Sequence, residues 1–270
     1  PHEPMVLTPD VVEPLQRHGG TMLGSSRGPQ DVGGMVDTLI ANGIGILFVA
    51  GGDGGLRGAA AIHEEIRRRG LQIAVVGIPK TIDNDLLWTW RSFGFATAVE
   101  ASQMAIQAAH TEARGAWHGV GLVKLMGRHS GYIAAHATLA SSDVNFCLVP
   151  EVPFTPNGTG GFLDVLESRL ETKQHAVVVV AEGAGQDLLA DPANADRDAS
   201  GNVKLKDVGL FLRDEIATHF AARGKEVTIR YIDPSYMIRS LPAGAMDALY
   251  CLVLGQHAVH AAMAGKTNVI

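Results

Sequence analysis

The chain has 270 residues, of which 46% are hydrophobic and 19% charged, a balance that allows one large or two modest globular domains. No apolar run approaches the roughly 20 residues of a membrane-spanning helix, and the formal net charge of −6 favours neither nucleic acid nor an anionic membrane as a partner. Cys147 and Cys251 both lie in apolar stretches, which suits buried thiols better than a disulfide and predicts a cytoplasmic protein.

The first regular unit begins with residues 44–50, a short apolar run typical of a strand buried on both faces. A glycine-rich stretch, residues 51–55, follows at once. Residues 58–69 then have the pattern of a helix that ends at Gly70, and residues 71–78 form the next apolar run. Strand, glycine loop, helix and strand make a βαβ unit, whose strands we expect to be parallel.

The same alternation continues to the end of the chain. The predicted helices cover residues 96–114, 131–140, 162–170, 208–222 and 245–264, and the predicted strands cover residues 120–125, 144–149, 176–181 and 227–231. The stretch 187–201 is rich in Asp, Ala and Asn and predicts a solvated loop. Strands that alternate with helices in this way indicate an α/β fold with mainly parallel sheets.

The glycine loop after the first strand has the composition of a phosphate-binding turn. Its residues offer backbone N–H groups and the start of a helix, with no bulky side chain to block a ligand. Asp53, the one carboxylate in the loop, would repel a bare phosphate but suits a site in which Mg²⁺ binds between the two. A plain strand-to-helix turn explains the glycines equally well.

A second loop, residues 79–85, follows the next strand with the sequence Pro-Lys-Thr-Ile-Asp-Asn-Asp. Asp83 and Asp85 are close in sequence at the end of a buried strand, so a cation or a substrate proton is needed to offset their repulsion. In phosphoryl transfer one carboxylate accepts the proton of the attacking hydroxyl and another helps to position a metal. Lys80 and Thr81 add a charge and a hydroxyl for the transferring phosphate. An Asx-rich turn is the structural alternative.

A third loop begins after the strand at residues 120–125 and contains Arg128. An arginine at the carboxyl end of a buried strand can bind phosphoryl oxygens through two hydrogen bonds and stabilise the charge that develops in the transition state. An ordinary surface ion pair is the alternative interpretation of this residue.

Together these loops resemble the phosphofructokinase family, in the order of their motifs and over most of residues 20–260. The motifs that carry the resemblance are Leu23-Gly24-Ser25-Ser26-Arg27, Gly51-Gly52-Asp53-Gly54, the run 79–85, Phe93-Gly94-Phe95, Met126-Gly127-Arg128, Glu182-Gly183 and Tyr236-Met237-Ile238-Arg239. The run Pro-Lys-Thr-Ile-Asp-Asn-Asp is the most specific of them, whereas Gly-Gly-Asp-Gly also occurs in NAD and lipid kinases.

The resemblance implies that the chain transfers the γ-phosphoryl group of ATP to fructose 6-phosphate, giving fructose 1,6-bisphosphate. Asp83 would be the base for the sugar 1-hydroxyl, Thr81 and Lys80 would contact the transferred group, and Asp85 would support the metal or the base. On the nucleotide side, the resemblance assigns Mg²⁺ to Asp53 and the phosphates to Arg27, Gly52, Gly54 and Gly55.

The remaining implied roles concern the sugar phosphate. Met126, Gly127 and Arg128 would meet the sugar and the transferred group, and Glu182 would hydrogen-bond a sugar hydroxyl. The 6-phosphate would be held by three residues, some of them from a neighbouring subunit of a homodimer or homotetramer: Arg230, Tyr236 and Arg239. Gly119 departs from the pattern, since relatives often have a sugar-phosphate arginine at this position.

The phosphoryl donor is the open question within the resemblance. Pyrophosphate-using members have Gly-Gly-Asp-Asp, whose second carboxylate occupies space near the α-phosphate of a nucleotide; here that residue is Gly54. Lys80, in contrast, resembles the pyrophosphate enzymes. The combination resembles plant-type ATP-dependent members, so we expect ATP, because a second carboxylate near a nucleotide phosphate is strongly repelled.

By resemblance, we expect two Rossmann-like lobes with the active site between them. The nucleotide lobe would comprise residues 1–94 and 240–270, and the sugar-phosphate lobe residues 95–239. A pyrophosphate-dependent enzyme remains the nearest alternative. A catalytically silent regulatory subunit is a second alternative, which Asp83, Asp85 and Arg128 disfavour, and a lipid or NAD kinase would leave the later motifs unexplained.

Overall fold

The computed structural model describes residues 4–25, 31–189, 197 and 203–270. In chain order the elements are α1 (Pro9–Val12), a 3₁₀ turn (Leu15–Arg17), α2 (Val32–Ala41), β1 (Ile46–Gly51), α3 (Asp53–Arg68), β2 (Ala74–Pro79), α4 (Phe95–Gly115), β3 (Gly119–Leu125), α5 (Tyr132–Ala140), β4 (Phe146–Leu148), α6 (Phe162–Lys173), β5 (His175–Ala181), α7 (Gln186–Leu189), α8 (Val208–Ala222), β6 (Thr228–Ile232), α9 (Ser235–Ile238) and α10 (Ala245–Met263).

The chain divides into two compact units, which are described separately below. The first unit comprises Pro1–Ile82, Leu86–Ala96 and Ser240–Ile270, and the second comprises Asp83–Asp85 and Thr97–Arg239. Among the described residues, no helix is both long enough and apolar enough to cross a membrane.

The first unit is built on two parallel strands, β1 and β2, which pair from Ile46 opposite Ala74 to Gly51 opposite Pro79. One core cluster joins these strands to α2 and α3 through buried side chains that include Val36, Leu39, Ala59, Ile62, Ile66 and Val75. A smaller cluster joins Val76 of β2 to Ala258 and Ala262 of α10. The buried residues of α3 recur at helical spacing, which explains why this segment is amphipathic.

The second unit is built on four parallel strands in the order β4-β5-β3-β6. One face of this sheet, including Val120, Leu122, Val178 and Val180, packs with α6 and α8 in the largest core cluster. The other face of β3 is bare at Gly121, where an added Cβ would lie 2.6 Å from the carbonyl oxygen of Ala109 in α4. The absence of a side chain at Gly121 therefore lets α4 lie directly on this part of the strand.

The close packing of α4 also explains why residue 119 is a glycine, at a position where relatives often have an arginine. A Cβ at this position would lie 2.0 Å from the carbonyl oxygen of Ala113 in α4. No L-side chain fits there without moving the helix backbone. An arginine at this strand start is therefore incompatible with the way α4 and β3 pack in this chain.

The predicted α/β class with mainly parallel sheets is confirmed, and the structure contains each strand and helix that the pattern predicts. Several boundaries were wrong. The largest difference is in α3, which begins at Asp53 and not at residue 58, because the second half of the glycine loop belongs to the first helical turn. Strand β2 begins at residue 74 and not 71, and β4 is confined to Phe146–Leu148. The pattern did not predict α2, whose second and third residues, Gly33 and Gly34, lower helix propensity. Of the loop predicted over 187–201, residues 187–189 belong to α7 and most of the rest lies outside the described residues.

The core of the second unit makes a stability prediction possible. Leu166 of α6 is fully buried in this core, whereas the adjacent Val165 is 47% exposed. We expect Leu166→Ala to lower the free energy of unfolding by about 2 to 5 kcal/mol, because it removes buried methyl groups and leaves a cavity. Val165→Ala, the matched control, should change it by no more than about 0.5 kcal/mol. Urea unfolding followed by circular dichroism measures both, and equal losses would contradict this core assignment.

Candidate functional site

The loops after β1 and β2 lie side by side in the first unit. The N–H of Lys80 donates to the carbonyl oxygen of Gly51 at 2.8 Å. A Cβ on Gly51 would lie 2.8 Å from the Cα of Gly55, and one on Gly52 would lie 3.3 Å from the carbonyl oxygen of Lys80. Gly51 therefore lets the glycine loop fold closely onto itself, and a side chain at Gly52 would press on the loop after β2.

The same glycine loop presents the start of α3 to open space. Gly52 is the N-cap residue and Asp53 the first residue of the helix. The N–H groups of a first helical turn have no acceptor within the helix and attract anions. A Cβ added to Gly54 or Gly55 would meet nothing within 4 Å, so there is room for a ligand in front of these groups.

Asp53 fits a metal-binding role at this helix start. Its side chain is 66% exposed and forms an ion pair with Arg57, one turn along α3. An exposed carboxylate oxygen beside the N–H groups of a first helical turn is a suitable ligand for Mg²⁺. The bound metal could then also contact a phosphate. Arg57 competes for the same carboxylate, and a bound cation would displace it. Arg27, which was expected to bind the nucleotide phosphates together with the glycine loop, lies outside the described residues.

The acidic run after β2 is divided between the units, with Lys80, Thr81 and Ile82 in the first and residues 83–85 in the second. Asn84 has a left-handed backbone with φ of 56°, a conformation that asparagine adopts more readily than most residues. The turn at Asn84 separates a half-buried Asp83 from an exposed Asp85. Because of this turn, the carboxyl of Asp83 is partly shielded from water, whereas the carboxyl of Asp85 is solvated.

Asp83 is the most perturbed carboxyl of the candidate site. Burial raises the pKa of Asp83 to about 6, and the negative charges of Asp85 and Glu182 act in the same direction. A hydrogen bond from the backbone N–H of Arg128 and the charge of its side chain oppose this increase. The hydroxyl of Ser130 donates to the main-chain carbonyl of Asp83 at 2.9 Å and holds Asp83 against the loop after β3.

The loops after β3 and β5 are joined through their backbones. The N–H of Glu182 donates to the carbonyl oxygen of Leu125, and the N–H of Gly183 donates to that of Gly127. A Cβ on Gly183 would lie 1.9 Å from the carbonyl oxygen of Arg128. Gly127 has a φ of 125°, which an L-residue rarely adopts. The Met-Gly-Arg and Glu-Gly motifs are thus adjacent because both glycines lack side chains.

Glu182 and Arg128 complete this part of the site. Burial raises the pKa of Glu182, and the positive charges of Lys124 and Arg128 oppose the increase. The guanidinium of Arg128 donates to the carbonyl oxygen of Val203, so it lies against the backbone of a neighbouring segment. Its Nε is buried and has no hydrogen-bond partner within the described residues, which leaves a donor for an incoming ligand.

The three residues expected to bind the 6-phosphate take part in two different contacts. Arg239 and Tyr236 are neighbours, with the guanidinium carbon 4.8 Å from the ring centre in a cation–π contact. Arg230, in the middle of β6, instead approaches Glu112 of α4, with 3.5 Å between Nε and the carboxylate oxygen. Arg230 and Glu112 are both about half exposed, so the pair is weak and can be exchanged for a stronger anion.

A separate carboxylate and histidine cluster lies between α6 and α8. Asp164, Glu167 and His219 have the spacing of metal ligands. Glu167 already accepts hydrogen bonds from His219 and Lys225 and lies 3.0 Å from Nε of Arg223. Because Lys225 and Arg223 already balance the charge of Glu167, we interpret the cluster as an ion-pair network that joins the two helices.

Several polar residues around the site were not predicted from the sequence: Lys124, Ser130, Asp207 and Asp233. Lys124 did give a signal, since it is the one charged residue in the apolar strand β3. The others lie in loops or at a helix start, where polar residues are common and carry no distinctive pattern.

A model of the phosphofructokinase family matches residues 2–262. The chain belongs to the phosphofructokinase family. It is 52% identical to the ATP-dependent 6-phosphofructokinase of Borreliella burgdorferi, covering 98% of this chain and 60% of that protein. It is 53% identical to ATP-dependent 6-phosphofructokinase 7 of Arabidopsis thaliana, covering 97% of this chain and 54% of that protein.

The phosphofructokinase fold is also evident from solved structures. The pyrophosphate-dependent phosphofructokinase of Marinobacter aquaeolei matches with a TM-score of 0.77 and 25% identity, covering 96% of this chain and 62% of that one. The chain thus spans little more than half the length of the curated relatives described above. The resemblance that the motifs indicate is confirmed at the level of the family.

The raised pKa of Asp83 predicts a pH-dependent effect on stability. Its ionised form is disfavoured in the folded protein, so ionisation of Asp83 destabilises the fold as the pH rises from about 4, the ordinary value of an aspartate, through about 6. We expect Asp83→Asn to have a higher melting temperature than the unsubstituted protein at pH 8, and the difference should shrink as the pH falls towards 4. Thermal unfolding at a series of pH values measures this, and a difference independent of pH would contradict it.

Proposed function

We propose that this phosphofructokinase-family chain is the catalytic part of an ATP-dependent 6-phosphofructokinase, which transfers the γ-phosphoryl group of ATP to the 1-hydroxyl of fructose 6-phosphate. One observation carries the proposal: Asp83 is a half-buried carboxyl with its pKa raised to about 6, held close to Arg128 and Glu182. Such a group is ionised at neutral pH and is still basic enough to accept a proton from a hydroxyl. The printed names of the relatives support the same reaction.

On the acceptor side, the carboxylate of Asp83 would take the proton of the sugar 1-hydroxyl as its oxygen attacks the γ-phosphorus. The new bond joins that oxygen to phosphorus, and the bond to the bridging oxygen of the departing ADP breaks. Glu182 would hydrogen-bond a sugar hydroxyl, and Met126, Gly127 and Arg128 would line the position of the reacting groups. The free Nε donor of Arg128 supports its role towards the transferred group.

On the donor side, the backbone N–H groups of Gly52, Gly54 and Gly55 would bind the phosphates of ATP, together with Arg27. Asp53 would hold Mg²⁺, which when bound neutralises phosphate charge and favours loss of ADP. Lys80 and Thr81 would contact the transferred phosphoryl group. Their loop lies against Gly52, whose Cβ position is 4.0 Å from the Cβ of Thr81, which supports a shared phosphate site.

For the 6-phosphate we propose Tyr236, Arg239 and Arg230, the last after exchange of its weak ion pair with Glu112. A homodimer or homotetramer, in which a second copy supplies part of this set, remains our proposal for the assembly. We also propose that the enzyme is cytoplasmic, since Cys147 and Cys251 are free thiols, which suits a reducing compartment.

The preference for ATP over pyrophosphate is supported by Gly54, which leaves open space at the start of α3. The pyrophosphate-dependent reaction stays as a second candidate, because Lys80 has a charge that would suit a smaller donor and a structural neighbour has that activity by name. An assay of the full-length protein with each donor, with and without Mg²⁺, separates them. Turnover with pyrophosphate alone would overturn the ATP assignment.

The proposed base makes a prediction about turnover. We expect Asp83→Ala to lower kcat by a factor on the order of 10² to 10⁴, because the hydroxyl loses its proton acceptor. In the unsubstituted protein kcat/KM should rise with pH through about 6, as the Asp83 carboxyl of the free enzyme becomes ionised. A coupled assay of fructose 1,6-bisphosphate formation over pH 5 to 8 measures both effects.

The matched control for this prediction is Asp214→Ala. Asp214 is 67% exposed on α8 and forms an ion pair with the adjacent Arg213, so its loss removes the same charge away from the proposed site. Its kcat and pH profile should equal those of the unsubstituted protein. Near-normal turnover in Asp83→Ala would show that another group is the base.

Donor choice makes a separate prediction at Gly54. This residue has room for a side chain in the first turn of α3, so Gly54→Asp and Gly54→Asn should both fold. We expect Gly54→Asp to lower kcat/KM for ATP by about tenfold more than the isosteric Gly54→Asn, since like charges a few ångströms apart repel by about 1 to 4 kcal/mol. Steady-state kinetics with ATP as the varied substrate measures the difference, and equal effects of the two variants would place the nucleotide phosphates elsewhere.

A further inference from the structure

Lys124 lies near the end of β3, where its neighbours along the strand are apolar and buried. Its side chain is only 12% exposed, yet it has two ionic partners. Nζ lies 2.8 Å from Oδ2 of Asp207 and 2.9 Å from Oδ2 of Asp233. Burial alone would lower the pKa of the Lys124 ammonium, but these two hydrogen bonds outweigh it and raise the pKa, so the group stays charged.

Asp207 links Lys124 to the start of α8. It is the N-cap residue of this helix, and its Oδ1 accepts a hydrogen bond from the N–H of Leu210 at 3.0 Å. The same carboxylate accepts a hydrogen bond from the hydroxyl of Tyr231 in β6, also at 3.0 Å. The Tyr231 ring packs directly on the backbone of α8, where a Cβ on Gly209 would lie 2.4 Å from a ring carbon.

Asp233 links Lys124 to the segment that contains Tyr236 and Arg239. Its Oδ1 accepts hydrogen bonds from the N–H and the hydroxyl of Ser235, the first residue of α9, at 3.1 and 2.6 Å. Helix α9 contains Tyr236, and Arg239 is the residue that caps its C-terminus. Helix α9 has only four residues and two exposed side chains at its centre, Tyr236 and Met237, so its position depends on such anchors.

We propose that Lys124 is a positioning residue: its buried ammonium fixes the segment with Tyr236 and Arg239 against the start of α8 and thereby sets the affinity of the second unit for the phosphate of the sugar. The proposal rests on the proposed function for its ligand, a sugar phosphate. Lys124 itself does not act as a ligand, because two carboxylates hold its ammonium and little of it is exposed.

The geometry explains why a lysine is needed in this strand. Asp207 and Asp233 come from different loops, and without a cation between them their carboxylates would repel each other in partly buried surroundings. With the cation, the strand, the helix start and the short helix are joined through one atom, Nζ of Lys124. Loss of this atom should release the anion-binding segment before it disturbs the apolar core of α6 and α8, in which Lys124 takes no part.

The test compares four forms of the full-length protein with the unsubstituted one. Lys124→Met removes the ammonium and keeps the length of the side chain. Lys124→Met combined with Asp233→Asn removes one of the two opposing carboxylate charges, so it remains informative if the single variant folds poorly. Lys124→Arg restores a cation that can bind both carboxylates. Lys173→Met, at an exposed lysine at the end of α6, is the matched control for charge.

We expect Lys124→Met and the double variant to raise KM for fructose 6-phosphate by a factor on the order of 10 to 100, with kcat and KM for ATP within about twofold. Lys124→Arg should recover most of the loss, and Lys173→Met should show none. Hydrogen exchange followed by mass spectrometry should become faster in peptides that cover residues 233–239 and 207–211, and should stay unchanged in α6.

Three results would overturn the proposal. A fall in kcat with KM unchanged would mean that Lys124 acts on the chemical step, and faster exchange throughout the second unit would mean that it serves only general stability. Failure of the proposed function looks different. If the unsubstituted protein does not phosphorylate fructose 6-phosphate, that function fails, whereas local faster exchange without a change in KM counts against the role of Lys124 alone.

Discussion

Contacts between bare stretches of backbone determine how close the functional loops of this protein come to each other. A Cβ on Gly183 would lie 1.9 Å from the carbonyl oxygen of Arg128, and one on Gly52 would lie 3.3 Å from the carbonyl oxygen of Lys80. In parallel sheets the strands end at the same edge, so their following loops compete for the same space. Because glycine has no side chain, it lets the backbones of neighbouring loops approach, and polar groups of these loops come together.

The close approach of these loops has an electrostatic consequence. Asp83, Asp85 and Glu182 place negative charge near one another, and burial strengthens their repulsion. Arg128 and Lys124 offset part of it from adjacent positions. The result is a carboxyl that is neither fully neutral nor an ordinary surface acid at physiological pH. Desolvation is the largest cause of this raised pKa, and the neighbouring negative charges add to it.

The two units carry different chemistry. In the first unit a helix start and open space at Gly54 suit a polyanionic donor. In the second unit the half-buried carboxyls and the segment with Tyr236 and Arg239 suit a hydroxylated, phosphorylated acceptor. The chain passes directly from the first unit to the second between Ile82 and Asp83. The acidic run is therefore one of the places where the chain connects the proposed donor and acceptor chemistries.

The sequence by itself determined the α/β class, the six strands and the loops that carry the chemistry, because apolar runs and the glycines after them are local patterns. It also identified the family, through motifs that are contiguous in the chain. Only the tertiary structure decided which polar residues meet. The pairing of Lys124 with Asp207 and Asp233 joins residues more than 80 positions apart, and the contact of Arg230 with Glu112 comes from packing of α4 on the sheet. Burial, which raises the pKa of Asp83, is likewise a property of the packed chain and has no local signature in the run that contains it.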